Sequence, residues 1–376
     1  MDSLDDLIRG YGAAVYCLYA SSDNAMMRHM TRFVTHDPVT VLKRLQTPLL
    51  MIVPQMEVDR ARKESNAEVI TRQEAGYLEI YEHEKDPWKI QAEMIYRLSH
   101  GPYLVPPDFP TALTRALEPY NAVLVDSSSH LSAYRAVKNQ DEISWITRAQ
   151  RAAEAAIERA ITLIRSASIR SGVLWHNDAP LTSEVVRYEM NKVLLVYDCT
   201  AQDTIVACGE DTAMPHCIGQ GELYAHEPIV IDVFPRDNKT GYHADMTRTV
   251  SRGEPSGHVC ELYTAVKEAL LMSEKMVQEG VSGASCYQAV RDYFSDLGFR
   301  SDTEGFIHSL GHGVGLEVHE TPSLSGTGED LKAGHVITLE LGLYYRGIGG
   351  VRLEDLGVVK KEGFSKITNY SLEMVL

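Results

Sequence analysis

"EPIVIDVFPRDNKTGYHADMTRTV", residues 227–250, reads as two strands joined by a turn, and each strand carries an acid where a core residue belongs. Asp232 follows the apolar run "IVI". Asp245 comes thirteen residues later, beyond the turn "PRDNKTG". Burying a lone carboxylate is costly, so such a group must be paired, protonated or bound to a cation. Two more strand-like runs repeat the anomaly. Glu340 interrupts "VITLELGLY" and Glu354 interrupts "VRLEDLG". Only Arg352 and Arg248 lie close enough in sequence to neutralise the four.

Two divalent ions would carry four positive charges, matching four carboxylates. A neutral imidazole completes such a set, and "GHGVGLEVHE", 311–320, offers His312 between Gly311 and Gly313. Those glycines would let the main chain approach the site. Carboxylate oxygens with one imidazole form a hard donor set, suited to manganese first, with cobalt, iron or zinc as alternatives. HExxH, EF-hand, paired CxxC and G-x-S-x-G patterns are absent from the sequence. Two adjacent ions sharing carboxylates activate water toward a carbonyl or phosphoryl centre. His319 is then expected to hydrogen-bond the substrate instead of an ion.

Working outward, the run "NQDEISWITRAQRAAEAAIERAITLIRSAS" predicts a long helix capped by Asn139, with Ile146, Ala153, Ile157, Ala160 and Ile164 on one face. Before it, apolar runs "AAVYCLYA", "LLMIV" and "NAVLVD" alternate with amphipathic stretches, an α/β pattern that ends at the polar break "VDSSSH", 125–130. The expected domains are 1–135, α/β, and 136–376, α+β with a curved antiparallel sheet.

The 376 residues are 44% hydrophobic and 23% charged, an ordinary balance for two globular domains. A net charge of −16 without a basic stripe argues against nucleic acid or anionic membranes as partners. Six scattered cysteines suit reduced, mostly buried thiols. No apolar run nears membrane-spanning length, and "MDSLDDLIRG" is acidic where a secretory signal is basic, so a cytoplasmic protein is expected. The methionines of "NAMMRHM" are expected to pack, as are Trp88, Trp145 and Trp175, although Trp88 sits in a polar stretch that can reach a neighbour's pocket.

Residues 136–376 resemble the pita-bread metallopeptidases, which include aminopeptidase P, prolidase and methionine aminopeptidase, with creatinase as a metal-free relative. The resemblance rests on Asp232, on Asp245 in "GYHADMTRT", on His312 in "HSLGHGVGLEVHE", on Glu340 in "LELGLY" and on Glu354 in "VRLED". It implies that Asp232 chelates one ion, that His312 and Glu340 hold the other, and that Asp245 and Glu354 bridge. It also implies pocket roles for His216 in "MPHCIG", His308, His319 and Arg352, with Glu340 as proton shuttle, and a homodimer. The first third resembles the creatinase/prolidase-type N-terminal domain.

Three features depart from the family pattern. The aspartates are thirteen apart where eleven is usual, which predicts a longer hairpin tip with both acids still on one face. Leu341 replaces a usual proline and is expected to loosen its strand's end. His243 is expected to cover the pocket or face solvent. The implied activity is hydrolysis of the bond between an N-terminal residue and proline. Segment 321–334 has no arginine to clamp a dipeptide's carboxylate, which favours an Xaa-Pro aminopeptidase over an Xaa-Pro dipeptidase. A non-catalytic binding module on the same fold should show eroded ligand positions, and none is eroded.

Overall fold

The computed structural model describes residues 4–126 and 130–376, so the centre of the polar break at 127–129 lies outside the described residues. The chain forms two compact units, Met1–Arg135 and Ala136–Leu376.

The first unit is built on a mixed six-stranded sheet of β1 (Val15–Ala20), β2 (Val39–Arg44), β3 (Leu49–Val53), β4 (Glu68–Thr71), β5 (Tyr103–Val105) and β6 (Val123–Val125), ordered β4-β3-β2-β1-β5-β6. Strand β1 shows why the run "VYCL" has no polar alternation. Tyr16 and Leu18 face a core that takes in Met26, Met27, Met30 and Phe33. Val15 and Cys17 face another, formed with Leu42, Ile95 and Leu113. Both faces of the sheet are covered, so both sets of side chains are apolar. The methionines therefore pack in a core, and Trp88 lies edge-on to Tyr19 at 5.9 Å within the same unit.

The second unit opens on α1 (Gln140–Ser166). Asn139 Oδ1 accepts the Glu142 N–H at 3.1 Å, and Glu142 Oε2 accepts the Asn139 N–H at 2.8 Å, a reciprocal capping box. All five residues expected on the apolar face are fully buried. Strands β7 (Ile205–Cys208), β8 (Ile229–Val233) and β9 (Met246–Val250) form one antiparallel sheet with β8 central. Helices α2 (Gly257–Met276) and α3 (Gly283–Asp296), capped by Ser256 and Ser282, come next.

A second antiparallel sheet, ordered β11-β10-β12-β13-β14, contains β10 (Gly311–Gly313), β11 (Glu320–Leu324), β12 (Val336–Tyr345), β13 (Gly349–Val359) and β14 (Phe364–Lys366). One core joins α1 to the β8 sheet, and another joins α2 and α3 to β12 and β13. The sheets are also tied by Thr249, whose hydroxyl donates to the Arg352 carbonyl and accepts the Arg352 N–H at 2.8 and 2.9 Å. The architecture is α+β. Leu341 does not loosen β12: it is fully buried opposite Leu353, and the strand runs on to Tyr345.

Candidate metal centre

Pairing register brings the four carboxylates together. On β8 and β9, Asp232 is directly opposite Thr247. Asp245 precedes β9 by one residue instead of lying in it, and is two positions from Thr247. On β12 and β13, Glu340 is directly opposite Glu354, and Gly342 opposite Arg352. Side chains alternate along a strand, so Glu340, Gly342 and Tyr344 share a face with Arg352 and Glu354. Like charges directly opposite destabilise a sheet. The pairing persists here in a buried setting, with side-chain exposures of 21% for Glu340, 11% for Asp232, 6% for Asp245 and 2% for Arg352.

Asp245, His312 and Glu354 each place a donor atom within 4.8 Å of the others. His312 Nδ1 lies 3.1 Å from the Gly313 carbonyl. That contact requires Nδ1 to carry the proton, leaving Nε2 bare and 3.8 Å from Asp245 Oδ2. Flanking Gly311 and Gly313 are needed for a reason other than the expected one. A Cβ on Gly311 would fall 2.1 Å from the Thr338 carbonyl, and one on Gly313 2.3 Å from that of Thr321. The close approach is to neighbouring strands.

Arg352 is the cation of the cage. Its Nη2 donates to Asp232 Oδ2 at 2.6 Å, its Nη1 to the Pro215 carbonyl at 2.7 Å, and its Nε lies 3.6 Å from Glu340 Oε1. Arg248 does not share the task. It points to the opposite face, donating to Asp355 Oδ1 at 2.7 Å and to the Ser371 carbonyl. One guanidinium thus serves four carboxylates. Asp232 Oδ1 and Glu354 Oε1 are buried without a hydrogen-bond partner, while Glu354 Oε2 accepts from Thr247 at 3.0 Å.

The titration behaviour follows from this arrangement. Burial, then the charges of Asp232 and Glu340, hold Asp245 well above the usual carboxylate range. Burial, Asp245 and Glu340 do the same to Glu354. Burial raises Asp232 despite Arg352. Burial opposes ionisation of Glu340 as well, but His308, Arg352 and His312 outweigh it and hold it low. Burial is the largest influence on His308 and His312 and lowers both below the usual histidine range. Orphaned carboxylate oxygens, surplus negative charge and a bare imidazole nitrogen fit a divalent cation.

The remaining predicted residues surround this cluster. The His319 ring meets that of His312 edge-on with centroids 4.3 Å apart, and His319 is exposed. His308 is engaged at both nitrogens, Nδ1 with the Ser309 carbonyl at 2.7 Å and Nε2 with the Tyr344 hydroxyl at 3.0 Å. The expected pocket role of His308 would thus be exercised with its ring held between the Ser309 carbonyl and the Tyr344 hydroxyl. His216 is exposed, and it is among the groups near His308 that lower the pKa of that buried ring.

His243 does not face solvent. It is partly buried, its Nδ1 lacks a hydrogen-bond partner, and burial lowers its pKa to about 4. The sequence reading missed Tyr344 and Thr247. Tyr344 stands four residues after Glu340 and Thr247 two after Asp245, so strand alternation alone placed both on the site face. All six cysteines are free, with Cys17, Cys199 and Cys286 buried and the others partly so. Among the described residues, no helix is long and apolar enough to cross a membrane.

Residues 144–361 match the model of metallopeptidase family M24. An uncharacterized peptidase of Staphylococcus aureus strain USA300 is 29% identical over 327 residues, covering 85% of each chain. Among solved structures, Xaa-Pro dipeptidase from Bacillus anthracis is 25% identical with TM-score 0.83, covering 99% of this chain and 98% of its own. The X-Pro aminopeptidase of Thermotoga maritima MSB8 is 24% identical with TM-score 0.81, and each chain is fully covered. Both share the two-domain pita-bread architecture found here. With the family model spanning more than half of its length, the chain belongs to metallopeptidase family M24.

Proposed function

We infer that this metallopeptidase is a dinuclear enzyme that cleaves the bond between an N-terminal residue and proline. The observation carrying this reading is the convergence of Asp232, Asp245, His312, Glu340 and Glu354 around one arginine, with buried acceptor oxygens left over. These five residues would hold two divalent ions, manganese being the simplest choice for the donor set. Bound there, such ions acidify water and polarise a carbonyl.

The chain's own groups supply the rest. Glu340 is ionised and more open to solvent than Asp232 or Asp245, which suits it to accept a proton from water and return it to the leaving amine. His319, exposed beside His312, would donate to the oxygen on which charge develops. Arg352 holds the segment bearing His216 through the Pro215 carbonyl, and His308 orients the Tyr344 hydroxyl.

An aminopeptidase is favoured because segment 321–334 contains no arginine to grip a free carboxylate. Kinship to the Bacillus anthracis dipeptidase supports the alternative, an Xaa-Pro dipeptidase, and one experiment serves both. Ala-Pro-Ala, Ala-Pro and Ala-Ala-Ala are offered to protein stripped by chelator and reloaded with manganese. Cleavage of the tripeptide with proline alone supports the aminopeptidase, cleavage of Ala-Pro alone the dipeptidase. Turnover of neither proline peptide refutes the proline reading.

A further inference from the structure

A buried ion pair outside the carboxylate cage has a connection to the site. Lys138 Nζ and Glu320 Oε2 lie 2.9 Å apart with side chains 1% and 2% exposed. Removing two charges from water is costly enough that such a pair is weak support for stability. It does fix the distance between two segments far apart in sequence.

Each end is anchored. The Lys138 N–H donates to the Gly334 carbonyl at 2.9 Å, and Val137 bridges His335. Glu320 Oε1 accepts the Glu317 N–H at 3.2 Å. Its carboxylate presses on Gly315 so closely that a Cβ there would lie 2.4 Å from Oε2. The Gly315 N–H donates to the Glu317 carbonyl at 3.1 Å, and the Gly315 carbonyl accepts the His243 N–H at 2.7 Å. Segment 315–320 is therefore wound around one carboxylate. His319 precedes that carboxylate, while Gly313, paired with Glu320, follows His312.

We propose that Lys138 and Glu320 are positioning residues that hold the His319 imidazole against His312 and so set its approach to substrate. This rests on the assignment of His319 to substrate in the peptidase reading. Glycine is required at 315 because the anchoring carboxylate fills the space of a side chain.

The test uses the manganese-loaded full chain. Lys138→Met would take the Lys138 cation away from Glu320, so Lys138→Met with Glu320→Gln is made beside it to remove both charges, and Lys138→Arg serves as the conservative rescue. Lys138→Met is expected to lose roughly a hundredfold in kcat on Ala-Pro-Ala with little change in KM. The double variant is expected to stay at least about tenfold down, and Lys138→Arg to recover most of the loss. In a His319→Ala background the Lys138 substitutions should cost nothing more. A crystal structure of the double variant should show the His319 ring swung away from that of His312. Full turnover in the double variant, additive losses in the His319→Ala background, or two rings still packed edge-on would each overturn the proposal. If the parent chain cleaves none of the peptides, the peptidase reading falls separately and the position of the His319 ring alone decides.

Discussion

Loading the metal-free protein with divalent ions should expel protons. Asp245 and Glu354 have donor atoms within 4.8 Å of each other, and Glu340 is opposite Glu354 in the sheet. Two like charges about 4 Å apart repel by about 4 kcal/mol at an effective dielectric of about 20, enough to move a carboxyl group by about three pH units. One guanidinium cannot offset four such charges, so Asp245 and Glu354 retain protons toward neutrality. A cation needs both groups ionised, and loading at pH 6 to 7 should therefore release about one to two protons per chain. Calorimetric titration of chelator-stripped protein with manganese, in two buffers of different ionisation enthalpy, counts them. Glu354→Gln should lower the count by about one. Stability should respond to pH in the matching direction. A carboxyl whose folded pKa is raised stabilises the fold fully below its unfolded pKa of about 4, and that contribution fades as pH rises through the folded value. Metal-free protein should thus melt at lower temperature at pH 8 than at pH 5, and manganese should cancel the decline. Stoichiometric uptake with no proton release between pH 6 and 7 would refute this electrostatic account of the site.

Other perturbations reach different parts of the molecule. Arg352→Met removes the cation paired with Asp232 and should cost the metal-free protein about 3–5 kcal/mol in urea unfolding. An unchanged midpoint would mean that the guanidinium is not neutralising the cage. Asn139→Ala breaks the capping box and should cost about 1 kcal/mol, leaving peptide turnover intact, as paired denaturation and rate measurements would check. Tyr344→Phe deletes the hydroxyl shared by His308 and Arg352, and kcat should fall by about tenfold with the melting temperature little altered. Burial lowers the pKa of both His243 and His335 to about 4. The stability this represents is present above about pH 6.5 and is lost as pH falls toward 4, by roughly 2 to 3 kcal/mol per histidine. His335→Gln should flatten that acid limb of the stability curve.

The clustering of the four acids was legible because acids inside apolar strand runs have few physical excuses, and alternation told which neighbours share their face. The start of α1 was legible for a similarly local reason, since Asn139 followed three residues later by Glu142 is a capping signal. What escaped the sequence was directional. Arg248 and Arg352 both lie near the clustered acids in sequence, but only pairing of Asp232 with Thr247 reveals that Arg248, one residue on, points to the other face. Tyr344 looked like another apolar strand residue until its hydroxyl was seen between His308 and Arg352. His243 is partly buried and its backbone N–H donates to the carbonyl of Gly315, seventy-two residues away, a contact that no local pattern encodes.

Strand β13 is buried at every position, and its adjacent acids serve opposite ends: Glu354 turns to the cage and Asp355 to Arg248. Sliding β13 by one residue would exchange them, stranding Arg248 and presenting the wrong carboxylate. The hairpin's tip guards against this. Gly347 has φ +76°, and side chains at Gly349 and Gly350 would strike Thr212. Insertions near this tip should survive selection only in pairs, so the bend at 346–348 acts as a molecular ratchet on which the chemistry of a distant strand segment depends.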